Sequence, residues 1–173
     1  MKWLAFLVVG LSLAGCGSDE AEPEPLAPDL DDPKVLSDIK AKALGIDQLQ
    51  RRGDPGEQLW YAVDGKSPYS GWAKSFFSSG ELKSLNQFGS GKLDGFLLQW
   101  HENGQKKKEG RFRANEEAGK WTLWHSNGQM QQEGMYDMGK LTSVSVWLPS
   151  GVQCPVSQLE KGSGVVVWYR PDG

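Results

Sequence analysis

The sequence predicts an all-β repeat fold, an elongated single-layer antiparallel meander of β-hairpins. From residue 71 onward a glycine recurs, with an aromatic residue five positions later and a second glycine four positions beyond that. The first three copies keep a period of 24 residues, and two later copies keep the internal spacing at shorter periods. The copies are Gly71/Phe76/Gly80, Gly95/Trp100/Gly104, Gly119/Trp124/Gly128, Thr142/Trp147/Gly151 and Gly164/Tyr169/Gly173. Such self-similarity is typical of stacked repeats. A barrel or sandwich would also supply hairpins, but has no reason to keep these marks in register.

Each copy predicts one hairpin with a two-residue turn. The residue before the second glycine also tolerates positive φ, which suits such a turn. These residues are Ser79, Asn103, Asn127, Ser150 and Asp172. The arms on either side have the length of ordinary strands. After the last turn the sequence contains no return strand, so we expect an open edge or a truncated chain.

A ring recurs 17 positions after the first glycine, at Phe88, Phe112 and Tyr136. A two-residue turn places these rings directly across from Gly71, Gly95 and Gly119, and places Leu159 across from Thr142 in the fourth copy. Because a ring that covers a cross-strand glycine stabilises a sheet, we expect the three glycines and the three rings to be structural. The length variation between copies falls after these rings, where we expect loops.

The clearest copies are Trp100-His101-Glu102-Asn103-Gly104-Gln105 and Trp124-His125-Ser126-Asn127-Gly128-Gln129. The pattern resembles the bacterial variant of the MORN repeat (membrane occupation and recognition nexus), a family often labelled YwqK-type antitoxin. The resemblance covers about residues 71–173. It implies an elongated single-layer meander and brings no catalytic residues.

The amino terminus resembles a bacterial lipoprotein signal. An apolar run, residues 3–13, follows Lys2 and is too short to span a bilayer, but it suits a signal peptide over residues 1–15. Leu13-Ala14-Gly15-Cys16 resembles a lipobox, in which Cys16 becomes the lipidated first residue. The alternative is a short buried helix with a chance cysteine.

Residues 16–33 predict a disordered tether that is rich in acid and proline. Residues 17–33 carry seven acidic and no basic residues, whereas residues 34–173 carry 18 basic and 15 acidic ones. The low pI therefore belongs to the tether. In the inner-membrane lipoproteins that this signal resembles, an aspartate follows the lipidated cysteine and retains the protein at that membrane. Here Gly17 follows Cys16 instead. We expect a lipid-anchored protein of the bacterial cell envelope, with the outer membrane or surface allowed and the inner membrane not excluded.

Residues 34–58 predict a short helix and a loop. Asp32-Pro33 suits a helix start, Gly45 suits its end, and residues 51–56 are typical of a loop. A first strand is expected over residues 59–63. We therefore place the repeat region at residues 59–173, with repeats at about 71–94, 95–118, 119–141 and 142–163, and a partial one at 164–173.

The predicted strands have two faces, and one carries a column of rings. The column on this first face consists of Phe76, Trp100, Trp124, Trp147 and Tyr169. The second face carries Leu97, Trp121 and Val144. A single layer leaves the column without a covering layer, so we expect part of it to be exposed as a contact site for a partner, with Lys107 opposite Trp100 as a cation–π partner. The alternative is that the column stabilises the sheet by stacking.

Other candidate chemistry is weak. His101 and His125 share an offset, but successive hairpins place them ~10 Å apart, too far for one metal ion; we expect no metal and no cofactor. The basic cluster at residues 106–113 alternates faces and is typical of a solvated arm, with anionic headgroups, a cell-wall polymer or the tether as alternative contacts. Cys154 is predicted opposite Trp147, without a base.

These observations favour a non-enzymatic envelope protein that binds or scaffolds through its repeat sheet, with the membrane as one partner through its lipid and an unknown protein or envelope polymer as another. We expect no nucleic acid partner. The alternative from the family label is an antitoxin or immunity protein against a toxin that acts at the envelope. A hydrolase also remains open.

Overall fold

The computed structural model describes residues 28–167, which fold around one ten-stranded sheet. The elements are α1 (Pro33–Lys42), β1 (Leu44–Gly45), a 3-10 helix (Ile46–Gln48), β2 (Leu49–Arg52), β3 (Leu59–Ala62), β4 (Gly71–Phe76), β5 (Leu82–Gly89), β6 (Lys92–Trp100), β7 (Lys106–Arg113), β8 (Glu116–Trp124), β9 (Met130–Asp137), β10 (Lys140–Val146), β11 (Gln158–Glu160) and β12 (Ser163–Val165). From β4 to β12 each strand pairs antiparallel with the next, so the predicted meander is confirmed. No helix within the described range is long and apolar enough to cross a bilayer.

The turns at the Xaa-Gly steps within the repeats are three-residue loops, so the predicted two-residue turns are wrong at these steps. His101 N–H donates to the carbonyl of Gln105 at 2.9 Å, and Gly104 N–H donates to the carbonyl of His101 at 2.9 Å. Gly104 has a φ of +83°, whereas Asn103 is not among the residues with positive φ. This is a type I turn followed by a left-handed glycine. The same bonds close the turns at residues 77–81, 125–129 and 148–152.

The longer loop places one extra residue on the return strand of each repeat. The register steps past Lys83, Lys107 and Gln131, which have no paired residue opposite them in β4, β6 and β8. Trp100 therefore faces Lys106, and the predicted Trp100–Lys107 pair is wrong. Beyond this bulge the predicted register is confirmed, with Gly71 opposite Phe88, Gly95 opposite Phe112 and Gly119 opposite Tyr136.

The opposed rings are not the groups nearest to these glycines, and at Gly119 the predicted cover is absent. A Cβ built on Gly95 would meet the side chain of Gln87, and one on Gly119 would meet no atom within 4 Å. The rings instead pack along the sheet. Phe112 and Tyr136 both contact Trp121, with centroids 5.1 and 6.1 Å from its ring and near-perpendicular planes.

Trp121 is the centre of the second face. The residue is 0% exposed, and neighbouring side chains and a glycine enclose its ring. A Cβ on Gly110 would collide with its indole ring, and the Lys108 ammonium lies 4.3 Å from the ring centroid. A ring therefore covers Gly110, and this ring comes from the next repeat.

The fourth repeat departs from the predicted register. Leu159 pairs with Val144 and not with Thr142. Trp147 bridges to Gln153, so the predicted Cys154–Trp147 pairing is also wrong. Cys154 is buried against Val144 and Val146, and its N–H donates to the Val146 carbonyl at 2.8 Å. Pro155 follows directly and has no N–H to donate to the neighbouring strand. The regular pairing of the strands therefore stops at this point.

The amino-terminal segments differ from the prediction in three places. The helix ends at Lys42 and not at Gly45, because Leu44 and Gly45 pair parallel with β4. Residues 51–52 are strand and not loop, since β2 pairs with β3. Leu30, which was predicted to lie in the disordered tether, is buried in a core cluster, because its side chain is apolar and packs against the sheet. Residues 1–27, which include the predicted signal peptide, Cys16 and the first part of the tether, lie outside the described residues.

These segments cover one end of the sheet on both sides. Helix α1 and Leu30 pack on the first face against Leu85, Leu98 and Trp100. The β2–β3 hairpin packs on the second face against Ala73 and Phe88. The expectation that neither face has a covering layer is therefore wrong at this end, while the first face beyond β6 lies past the helix.

Candidate functional site

The ring column of the first face is covered unevenly. Phe76 is 52% exposed, whereas Trp100 is only 8% exposed under α1, with the Lys40 ammonium 5.5 Å from its ring centroid. Trp124 and Trp147 are half-buried, and Tyr169 lies outside the described residues. Part of the column is therefore exposed, as expected, but Trp100, one of the predicted contact residues, is buried. The candidate contact surface begins at Trp124.

A groove of about 470 Å³ lies on the first face beside Trp124. Its lining comes from β6, β7 and β8 and from Asp31, which precedes α1. The lining residues are Asp31, Phe96, Lys106, Glu109, Gly110, Arg111, Lys120, Thr122 and Trp124. We call this hollow the Trp124 groove. The amino-terminal segment gives it a wall, so the surface here is concave where an uncovered sheet would be flat.

Lys106 holds the polar rim of the Trp124 groove in place. Its ammonium lies 2.6 Å from a carboxylate oxygen of Asp31 and 2.7 Å from one of Glu109, and 5.8 Å from the Trp124 ring centroid. Partial burial acts to lower the pKa of Lys106, but hydrogen bonds and charges from Asp31 and Glu109 outweigh it and raise the pKa above its ordinary value. Lys106 is therefore an ion-paired cation that lies beside the indole.

The basic cluster is exposed at Lys107, Arg111 and Arg113, as predicted for a solvated arm, and ion-paired at Lys106 and Lys108. Lys106 is paired on the first face, and Lys108 lies on the second face, where it contacts Trp121 and pairs with Glu117 at 3.2 Å. Lys107, the predicted partner of the ring column, is exposed at the bulge. A second first-face pair joins Lys120 to Glu133 at 2.6 Å. Because successive side chains of a strand point to opposite faces, Lys106 and Lys120 form ion pairs on the first face and Lys108 forms one on the second.

The two histidines link successive repeats through the backbone. His101 Nε2 lies 2.9 Å from the Trp124 carbonyl oxygen, and His125 Nε2 lies 3.0 Å from that of Trp147. A carbonyl only accepts, so Nε2 carries the proton and donates. Asn103 and Asn127 donate in the same direction, to the carbonyls of Ser126 and Pro149 at 2.7 and 2.8 Å. The recurring His-x-Asn spacing was the signal for this ladder.

We expect His125→Ala to lower the free energy of unfolding by about 1–3 kcal/mol, because it leaves the Trp147 carbonyl without its donor at a buried position. Asn127→Asp keeps the acceptor for Gln129 N–H but removes the donor to Pro149, and we expect about 0.5–1.5 kcal/mol. Urea unfolding followed by circular dichroism measures both. Unchanged midpoints in both variants would show that the ladder does not stabilise the stack.

The spacing of the other polar side chains within residues 28–167 decides whether they could hold a metal ion. No set of three or more histidine, cysteine, aspartate or glutamate side chains is placed there to hold a metal ion. The charged side chains beside Trp124 pair with one another. What the groove offers is a fixed ring bordered by fixed donors and acceptors, which is an arrangement for binding.

Comparison with known proteins locates the repeat. Residues 118–138 match the family model described as MORN repeat variant, and this range spans most of β8 and all of β9. No curated protein and no solved structure matches the chain. The matched hairpin shares its turn bonds and register with the two before it, and it is the segment of the chain that is similar to this repeat variant.

Proposed function

We propose that this chain is a lipid-anchored, non-enzymatic protein of the bacterial cell envelope that binds a partner through the first face of its repeat sheet. The observation that carries the proposal is the Trp124 groove. There a half-buried indole is held by a cation, beyond the part of the face that α1 covers. A rigid aromatic side chain with a polar border is a common anchor of interfaces.

The ion pairs of the groove support binding over catalysis. Lys106 is held by two carboxylates and Lys120 by one, so these groups position each other. A catalytic site needs a nucleophile beside a base and an open position for the reacting atom. Cys154 is 2% exposed and packs with valines in the fourth repeat, away from the residues that line this groove.

The anchoring part of the proposal rests on the amino-terminal sequence. Leu13-Ala14-Gly15-Cys16 follows a short apolar run, and an acidic, proline-containing stretch separates it from α1. A lipid at Cys16 would hold the chain at a membrane, and the intervening residues would let the sheet reach a partner in the envelope.

We expect Trp124→Ser to reduce capture of the partner about tenfold or more, because it removes the anchoring ring. Phe76→Ser is the matched control, since Phe76 is the exposed ring of the same column and lies outside the groove. The measurement is chemical crosslinking in native cells, followed by purification from membranes and quantification of each crosslinked species.

Circular dichroism of both purified variants accompanies this measurement. A folded Trp124→Ser protein with an unchanged set of crosslinked species would contradict the proposal. Equal losses in both variants would also contradict it, because the contact would then follow the exposed column and not the groove.

A further inference from the structure

We propose that the Trp124 groove binds a neutral, polyhydroxylated glycan chain of the cell envelope. This rests on the proposed binding role of the groove and names its ligand class. Three features of the groove carry it: a ring held in place, a border of mixed donors and acceptors, and a balanced charge.

The ring is held before any ligand arrives. The Lys106 ammonium lies 5.8 Å from the Trp124 centroid and is itself fixed by Asp31 and Glu109. One face of a pyranose ring carries C–H groups and is apolar, so it stacks on an indole. A ring that is already oriented loses little conformational entropy on binding.

The border matches the rim of a sugar. The Lys106–Glu109 and Lys120–Glu133 pairs each place donors beside acceptors, and the Thr122 hydroxyl lies between them in the lining. A sugar hydroxyl both donates and accepts, so it can join such an ion pair without disrupting it. Adjacent hydroxyls of a hexose suit this alternation.

The charge balance argues against other ligands. Three cations line the groove, Lys106, Arg111 and Lys120, and three carboxylates line or pair with it, Asp31, Glu109 and Glu133. A phosphate or sulfate would gain little net attraction from this balanced set of charges, and an acyl chain would desolvate charged groups without replacing their hydrogen bonds. A neutral polar ligand avoids both costs.

The repeat geometry favours a chain over a single sugar. Trp147 occupies the equivalent position one repeat further and is also half-buried. Equivalent residues lie two strands apart, or ~10 Å. An extended glycan that crosses the strands would therefore stack on both rings, with Trp124 as the main contact.

The test uses the full-length protein in detergent micelles and two probes: purified peptidoglycan sacculi in a co-sedimentation assay, and the soluble hexamer of β-linked N-acetylglucosamine in titration calorimetry. We expect saturable binding of both, weakened about tenfold or more by Trp124→Ala and unchanged by Phe76→Ala. Glu133→Gln leaves the ring in place and removes an acceptor, so we expect roughly threefold to tenfold weaker binding of the hexamer. Inorganic polyphosphate is the anionic comparison.

Three outcomes would overturn the inference: no binding of either glycan probe at roughly millimolar concentration, equal binding by wild type and a folded Trp124→Ala protein, or binding of polyphosphate in preference to the hexamer. If the wild type crosslinks an envelope protein through Trp124 but binds no glycan, only this inference fails. If Trp124 affects neither readout, the proposed function fails as well.

Discussion

Truncating Trp121 to alanine is expected to lower the free energy of unfolding by about 3–5 kcal/mol, a large share of the roughly 5–15 kcal/mol that stabilises an ordinary domain. Its ring is fully buried and joins Phe112, Tyr136 and Gly110 across three neighbouring strands. The alanine variant would leave a cavity where the indole now lies between these neighbours. Urea unfolding followed by tryptophan fluorescence and circular dichroism measures the loss.

Two variants control this prediction. Phe76→Ala removes a ring that is 52% exposed, and we expect a change within about 0.5 kcal/mol. Gly110→Ala adds a methyl where the indole lies, and we expect a cost of about 1–3 kcal/mol. If Trp121→Ala were no more harmful than Phe76→Ala, the packing described for the second face would be wrong.

Replacing Cys16 with alanine is expected to abolish lipid attachment completely. The lipobox-like sequence supplies one acceptor sulfur at this position, and acyl chains at about 0.8 kcal/mol per buried CH₂ would otherwise hold the protein firmly on a membrane. Metabolic labelling with palmitate should mark the wild type and leave Cys16→Ala unlabelled, and fractionation should move the variant from membranes to the soluble fraction.

The matched control for this labelling is Cys154→Ser. Cys154 is buried, so we expect its replacement to leave the palmitate label unchanged. Equal labelling of the wild type and Cys16→Ala would refute the anchor.

The repeat register could be predicted from the sequence because it depends on positions that recur. Gly95 and Phe112 are directly opposed, as the spacing required. The turn type was missed, because an Asn-Gly step fits both a two-residue turn and a type I turn with a left-handed glycine, and only the backbone bonds of His101 decide between them. Because the loop has one extra residue, Lys106 and not Lys107 lies opposite Trp100.

The covering of the sheet could not be predicted from the repeats, because it comes from outside them. Leu30 and α1 bury Trp100, although Trp100 and Trp124 have the same offset and similar neighbours in sequence. Likewise Gly110 recurs as Gly134, but a ring covers only the first. A Cβ on Gly134 would meet Leu141, since the fourth repeat has no tryptophan equivalent to Trp121.

The most direct test of the central claim is site-specific photo-crosslinking in native cells, with a benzophenone amino acid at position 120 or position 138. Lys120 lines the Trp124 groove, whereas Met138 is 77% exposed and lies in the turn between β9 and β10. We expect a discrete adduct from position 120, none from position 138, and loss of the first when Trp124 is replaced by serine. Adducts of equal yield from both positions, or none from position 120, would contradict a binding role for this groove.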